Sequence, residues 1–148
     1  MIEVRPVVQS DAIAWQRMRE ALWPSAPGEH AGEIERFFAR EVHEPLAVLI
    51  AFDQQADAIG FAELNIRNYA EDCTTNAIAY LEGWYVEPHA RRRGVGAALV
   101  RAAEDWGRAQ GCTEFASDAL IDNDVSAAAH AALGFTETAR IRCFRKDL

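Results

Sequence analysis

The chain has 148 residues, 50% hydrophobic and 26% charged, enough for one compact domain with its own core and too few for two ordinary ones. Its 15 basic and 23 acidic residues give a formal charge of −8, which repels nucleic acid and anionic membrane and draws cations such as polyamines. Cys73, Cys112 and Cys143 form no Cys-x-x-Cys pair and no apolar run nears a membrane span of about 20 residues, so a soluble, unprocessed, cytoplasmic protein without a disulfide framework or metal centre is expected.

Residues 2–5 alternate as a half-buried strand does, and Pro6 limits the pairing of that strand. Ser10 or Asp11 then caps a helix with Ala14, Met18, Ala21 and Leu22 on one face; it ends at Trp23, ahead of Pro24 and Pro27-Gly28. Ile34, Phe37, Phe38 and Val42 predict a second short helix. Residues 46–52 are an apolar run of strand composition, and residues 59–66 alternate as its antiparallel partner. The acid-rich loop 68–76 carries Tyr69, Glu71 and Asp72, suited to a cation. Residues 77–86 read as the most buried strand, although Glu82 interrupts them.

A helix over residues 95–109 follows, with Val95, Leu99, Ala102, Ala103 and Trp106 inward and Gly111 closing it. Residues 113–118 make a short strand, and Asn123 or Asp124 starts a final helix with Val125, Ala128, Ala129 and Ala132 inward. Residues 141–146 alternate as a last strand. This order predicts a single domain over residues 1–148, of α+β class with a mixed sheet.

The segment between the buried strand and the long helix reads Arg91-Arg92-Arg93-Gly94-Val95-Gly96. Glycines at a helix start leave donor-rich backbone free, and arginines grip phosphate oxygens with parallel hydrogen bonds, so a pyrophosphate fits here. A P-loop would need Gly-Lys-Ser/Thr and a dinucleotide fingerprint Gly-x-Gly-x-x-Gly; here Ala97, Ala98 and Leu99 follow Gly96.

This Arg-x-x-Gly-x-Gly motif, together with a later helix running from Asn123 through His130 to Leu133-Gly134-Phe135, resembles the GNAT N-acetyltransferases over nearly the whole chain. Leu22-Trp23-Pro24, Leu81-Glu82-Gly83-Trp84-Tyr85-Val86, Ala116-Ser117-Asp118 and Gly134-Phe135-Thr136-Glu137-Thr138 are similar to stretches of the bacterial aminoglycoside 6′-N-acetyltransferases. The resemblance implies a GNAT fold: a mostly antiparallel central sheet with a splayed strand pair and flanking helices. It implies direct transfer of acetyl from acetyl-coenzyme A to the 6′-amine of a polycationic aminoglycoside, without a metal, by a homodimer that shares the strand around residues 141–146 or the neighbouring cleft wall. Trp23, Tyr69, Glu82 and Asp118 would surround the substrate. Trp84, Tyr85, Val86, Arg91, Arg92, Arg93, Gly94, Val95, Gly96 and Asn123 would surround acetyl-coenzyme A, with a backbone N–H of Tyr85 or Val86 at the thioester oxygen.

An amine that arrives protonated needs a carboxylate to remove its proton, directly or through water, and Glu82 and Asp118 are the catalytic candidates. Glu82, inside an apolar strand, either faces a polar cavity at a strand bend or partners a buried arginine. Asp118 stands at a strand's C-terminal end, where ligands gather, or caps a turn. Trp23 covers a sugar ring or packs in the core. Where many relatives carry a tyrosine suited to protonating the departing thiolate, this chain has His130, a proton donor near neutral pH or a packed side chain. Two other functions remain compatible: acetyl transfer to another amine, such as a polyamine or a protein N-terminus, and a non-catalytic acyl-coenzyme A-binding module.

Overall fold

The computed structural model describes residues 1–148. In chain order the elements are β1 (Glu3–Pro6), α1 (Ala12–Leu22), α2 (Glu29–Phe38), β2 (Ala47–Phe52), β3 (Ala58–Arg67), β4 (Ile78–Val86), α3 (Val95–Ala109), β5 (Phe115–Ser117) and α4 (Asp124–Ala132). The five strands lie in the order β1-β2-β3-β4-β5, antiparallel except for the parallel β4–β5 pair. That is the mixed sheet expected from the order of elements. A parallel pair needs a crossover, and α3 supplies it. No helix is long and apolar enough to cross a membrane.

β2, β3 and β4 are apolar on both faces because helices cover both. α1 and α2 bury Trp15, Met18 and Ile34 against Val48, Ile50, Phe61 and Tyr85. α3 buries Val95, Leu99 and Ala103 against Leu49, Ala51, Ala62, Leu64 and Leu81 on the opposite face. α3 runs so close to β4 that a Cβ on Gly107 would come within 2.8 Å of the Ala79 side chain. Phe61 and Leu99 are completely buried, and truncating either to alanine removes about 3–5 kcal/mol of stability.

The feature that builds the site is an irregularity in β4. Glu63 pairs with Gly83 and Leu64 with Leu81, which leaves Glu82 without an opposite residue. Such a bulge reverses the alternation of the strand. Before it Leu81 faces α3, and after it Trp84 and Val86 do. On the other face Tyr80 is followed by Gly83, which meets Trp23, and then Tyr85. The parallel pairing with β5 ends at Leu81 and Ser117. From Gly83 to Val86, β4 is paired with β3 alone, and the sheet opens between β4 and β5.

Four local expectations give way to the structure. The inner face of α1 is Trp15, Met18 and Arg19, while Ala21 is exposed, because a large indole and a guanidinium find buried partners on β3. Asp11 is the N-cap residue of α1, but its carboxylate is taken by Arg5 and the Val8 N–H instead of the helix start. α4 has no buried residue: Val125, Ala128 and Ala132 are exposed, and the partly covered side is Ser126, Ala129, His130 and Leu133. Residues 135–148 form no strand, since no strand of the same chain lies alongside them, and Ile141 and Phe144 stay exposed.

Candidate active site

The flank of β4 that faces α3 is shaped by backbone. Gly94 is the N-cap of α3 at φ +82°, in the left-handed region that favours glycine, and Arg92 adopts φ +62° just before it. No side chain caps the helix. The N–H groups of Val95, Gly96 and Ala97 therefore have no intrahelical partner, at the positive end of the helix dipole. Arg92 and Arg93 are exposed beside them. Arg91 is partly committed: its Nε donates to the Val86 carbonyl at 2.9 Å, which ties the loop to the open edge of β4. Gly96 is needed for packing, because a Cβ there would lie 3.1 Å from the Trp84 ring.

Trp84 fills the space beneath this loop, and its Nε1 is buried without a hydrogen-bond partner. Its ring meets that of His130 edge-on, centroids 5.1 Å apart. His130 Nδ1 donates to the Ser126 carbonyl at 2.7 Å, which leaves Nε2 facing Ser117 Oγ at 2.8 Å. Asn123 uses its side-chain oxygen to accept from the Ser126 N–H at 3.1 Å, so it caps α4. The backbone of β4 also has a direction here. Glu87 N–H donates to the Ile59 carbonyl on β3, so by two-residue alternation Tyr85 is turned toward β3, and Trp84 and Val86 toward the opening. The Arg91 contact on the Val86 carbonyl agrees. Of the two N–H groups expected at a thioester oxygen, that of Val86 is the one that faces the opening. The Tyr85 side chain is buried on the other face, its hydroxyl donating to Glu87 at 3.2 Å.

The other flank is made of side chains. At the bulge, Glu82 accepts two parallel bonds from Arg67 Nε and Nη2, each 2.8 Å. The Arg67 guanidinium lies 3.6 Å from the centre of the Tyr80 ring, and the Tyr80 hydroxyl donates to Asp118 at 2.7 Å. One continuous chain of contacts thus joins the two expected carboxylates. Burial first, and then the bond to Asp118, pushes the Tyr80 hydroxyl far above its ordinary range, so it stays a donor. Glu82 sits at a strand bulge and an arginine partners it, though not the buried arginine of the second alternative. That arginine is only part-buried, with 41% of its side chain exposed against 23% for Glu82. Pairs this open are worth about 0–1 kcal/mol, so an incoming ammonium can compete for the carboxylate.

Trp23 lies against the same bulge. Its ring comes so near Gly83 that a Cβ there would be 2.4 Å away, and it meets Phe61 edge-on. Tyr69 is not drawn in: it is 67% exposed and makes no hydrogen bond. Its loop is pinned elsewhere, by Glu114, which accepts from the Thr74 and Thr75 N–H groups. Arg67 and Tyr80 were missed in the sequence. Tyr80 shares the strand phase of Glu82, a usable signal, but Arg67 reaches Glu82 only through the β3–β4 register.

A family model described as the acetyltransferase (GNAT) family matches residues 15–135. The chain belongs to the GNAT acetyltransferases. Within that family it is 56% identical to aminoglycoside N(6′)-acetyltransferase type 1 of Klebsiella aerogenes over 146 residues, 98% of this chain and 96% of that protein. It is 36% identical to the protein of the same name from Acinetobacter baumannii over 148 residues, 99% of each. Among solved structures, AAC(6′)-Iy in complex with the bisubstrate analogue CoA-S-monomethyl-acetylneamine superposes with a TM-score of 0.91 at 35% identity, covering 100% of this chain and 99% of that one. AAC(6′)-Ih from Acinetobacter baumannii superposes at 0.88 with 34% identity and coverage of 100% and 99%. This GNAT enzyme is thus an acetyltransferase with acetyl-coenzyme A as cosubstrate, and its uncapped α3, left-handed Gly94 and open β4 edge fit that ligand.

Proposed function

We propose that this enzyme acetylates the 6′-amine of aminoglycoside antibiotics, as the names of its relatives describe for them, with the residues of the two flanks in distinct roles. The observation that supports it is the bulge at Glu82, a carboxylate linked through Arg67 and Tyr80 to Asp118 on one flank of β4, opposite the helix start on the other. Acetyl-coenzyme A supplies the activated acyl group as a thioester. Arg92, Arg93 and the N–H groups of Val95 and Gly96 hold its pyrophosphate. The N–H of Val86 stabilises negative charge that develops on the carbonyl oxygen.

Glu82 and Asp118 attract the ammonium groups of the acceptor, and Glu82, directly or through one water, takes the proton that the 6′-amine must lose before it attacks. The Trp23 indole lies against the sugar and fixes its distance, so that the two reactants are held in line. The coenzyme A thiol is acidic enough to leave as thiolate and take its proton from solvent. Acetylation followed by thiol release with kanamycin and tobramycin tests the assignment. Turnover is expected with both; no turnover with any 6′-amino aminoglycoside, while polyamines or peptide N-termini react, overturns it.

We also infer a homodimer that shares the C-terminal segment. The exposed Ile141 and Phe144, and an α4 with no buried residue, support it. Arg140 and Arg145 pair with Glu137 and Asp147, but Arg142 and Lys146 leave this end of an otherwise acidic chain with a basic excess, which favours docking on another copy. Sedimentation should give twice the mass of the chain; a monomer at micromolar concentration overturns the inference.

A further inference from the structure

Behind Trp23 lies a polar network with no assigned role in acetyl transfer. Arg19, Glu63 and His30 are 8%, 3% and 5% exposed, on α1, β3 and α2. Arg19 Nε donates to Glu63 at 2.7 Å, and Trp15 Nε1 donates to the same carboxylate at 3.1 Å. Arg19 Nη1 reaches Glu33 at 2.5 Å and His30 Nδ1 at 3.1 Å, and His30 Nε2 lies 2.6 Å from the Trp23 carbonyl oxygen. A guanidinium only donates and a carbonyl only accepts, so these contacts permit one form of the ring: Nδ1 bare and Nε2 carrying the hydrogen.

The network converges on Trp23. This residue ends α1, its N–H donating to the Arg19 carbonyl at 2.7 Å. Pro24 follows, so the helix cannot continue, and the Trp23 carbonyl is held by His30 from the neighbouring helix. The indole lies 5.3 Å from the Arg19 guanidinium on one side and against Gly83, beside Glu82, on the other. A buried ion pair stabilises a fold little better than apolar residues of the same volume, so economy of packing does not account for it. What the network does supply is a fixed angle for Trp23.

We propose that Arg19, Glu63 and His30 form a positioning network that sets Trp23 as the acceptor wall of the cleft, making His30 specificity-determining for the amine although it touches no reactant. This rests on the acetyl transfer to aminoglycosides proposed above. His30→Ala should raise the KM for kanamycin, and weaken its calorimetric binding, by about tenfold, while the KM for acetyl-coenzyme A stays within about twofold. His30→Gln, whose amide can still donate to the Trp23 carbonyl, should recover most of that loss. In a Trp23→Ala background, His30→Ala should add nothing further, because the two act as one unit. A folded His30→Ala with unchanged kanamycin affinity, equal losses for both substrates, or full additivity with Trp23→Ala overturns the proposal. A wild-type enzyme that binds kanamycin without releasing thiol overturns the proposed function instead and leaves the binding test of His30 intact.

Discussion

The two flanks of β4 reach their chemistry by opposite routes. On the α3 flank six consecutive residues, 91–96, make the site out of backbone N–H groups, a left-handed glycine and a helix start. On the α1 flank Trp23, Arg67, Tyr80, Glu82 and Asp118 come from four elements and the turns beside them, and are brought together by strand register and the bulge at Glu82. A backbone site is a property of local sequence and tolerates change around it. A side-chain site depends on strand register, and each member leans on the next.

The sharpest way to break this comparison is Glu82→Gln. It should lower kcat with kanamycin by about a hundredfold or more, while acetyl-coenzyme A affinity by calorimetry is unchanged. Equal loss on both sides would show that the flanks are not separable. Gly96→Val should do the reverse, driving a side chain into Trp84 and raising the acetyl-coenzyme A KM by about tenfold with little change for kanamycin. Asp118→Asn and Tyr80→Phe come next, each raising the kanamycin KM by about fivefold, the worth of one hydrogen bond near a charge. If only Asp118→Asn acts, Tyr80 is not part of the acceptor flank.

The smallest effect lies outside both flanks and serves as a control. Asp11 is held below the usual carboxylate range, chiefly by its paired bonds from Arg5. A carboxyl whose pKa falls on folding stabilises the protein above its unfolded pKa and loses that contribution as pH falls through the folded one. Asp11→Asn should therefore cost about 1 kcal/mol at pH 7 by thermal unfolding, and less as the pH drops below about 4, with both KM values unchanged. A pH-independent loss would remove the ion pair as its cause.

Misplaced elements in the sequence reading share one physical cause. The inner face of α1 includes Arg19, which periodicity assigns to solvent until Glu63 is seen buried beside it. α4 and residues 136–148 carry apolar side chains at regular spacing, yet Val125, Ala128, Ile141 and Phe144 stay exposed. In each case the pattern stated what a segment is able to bury, and the neighbour that accepts or declines it lies far away in sequence.

By itself, the amino-acid order determined the strands and helices of the core, and the helix-start loop at residues 91–96, because those depend on hydrophobic period, proline and glycine within a few residues. Only the tertiary structure decided that Glu82 is the unpaired residue of a bulge, that Arg67 and Tyr80 link it to Asp118, and that Arg19 and His30 aim Trp23 at the same place. The bond from Tyr80 to Asp118 alone spans 38 positions, and such geometry exists only once the strands have chosen a register.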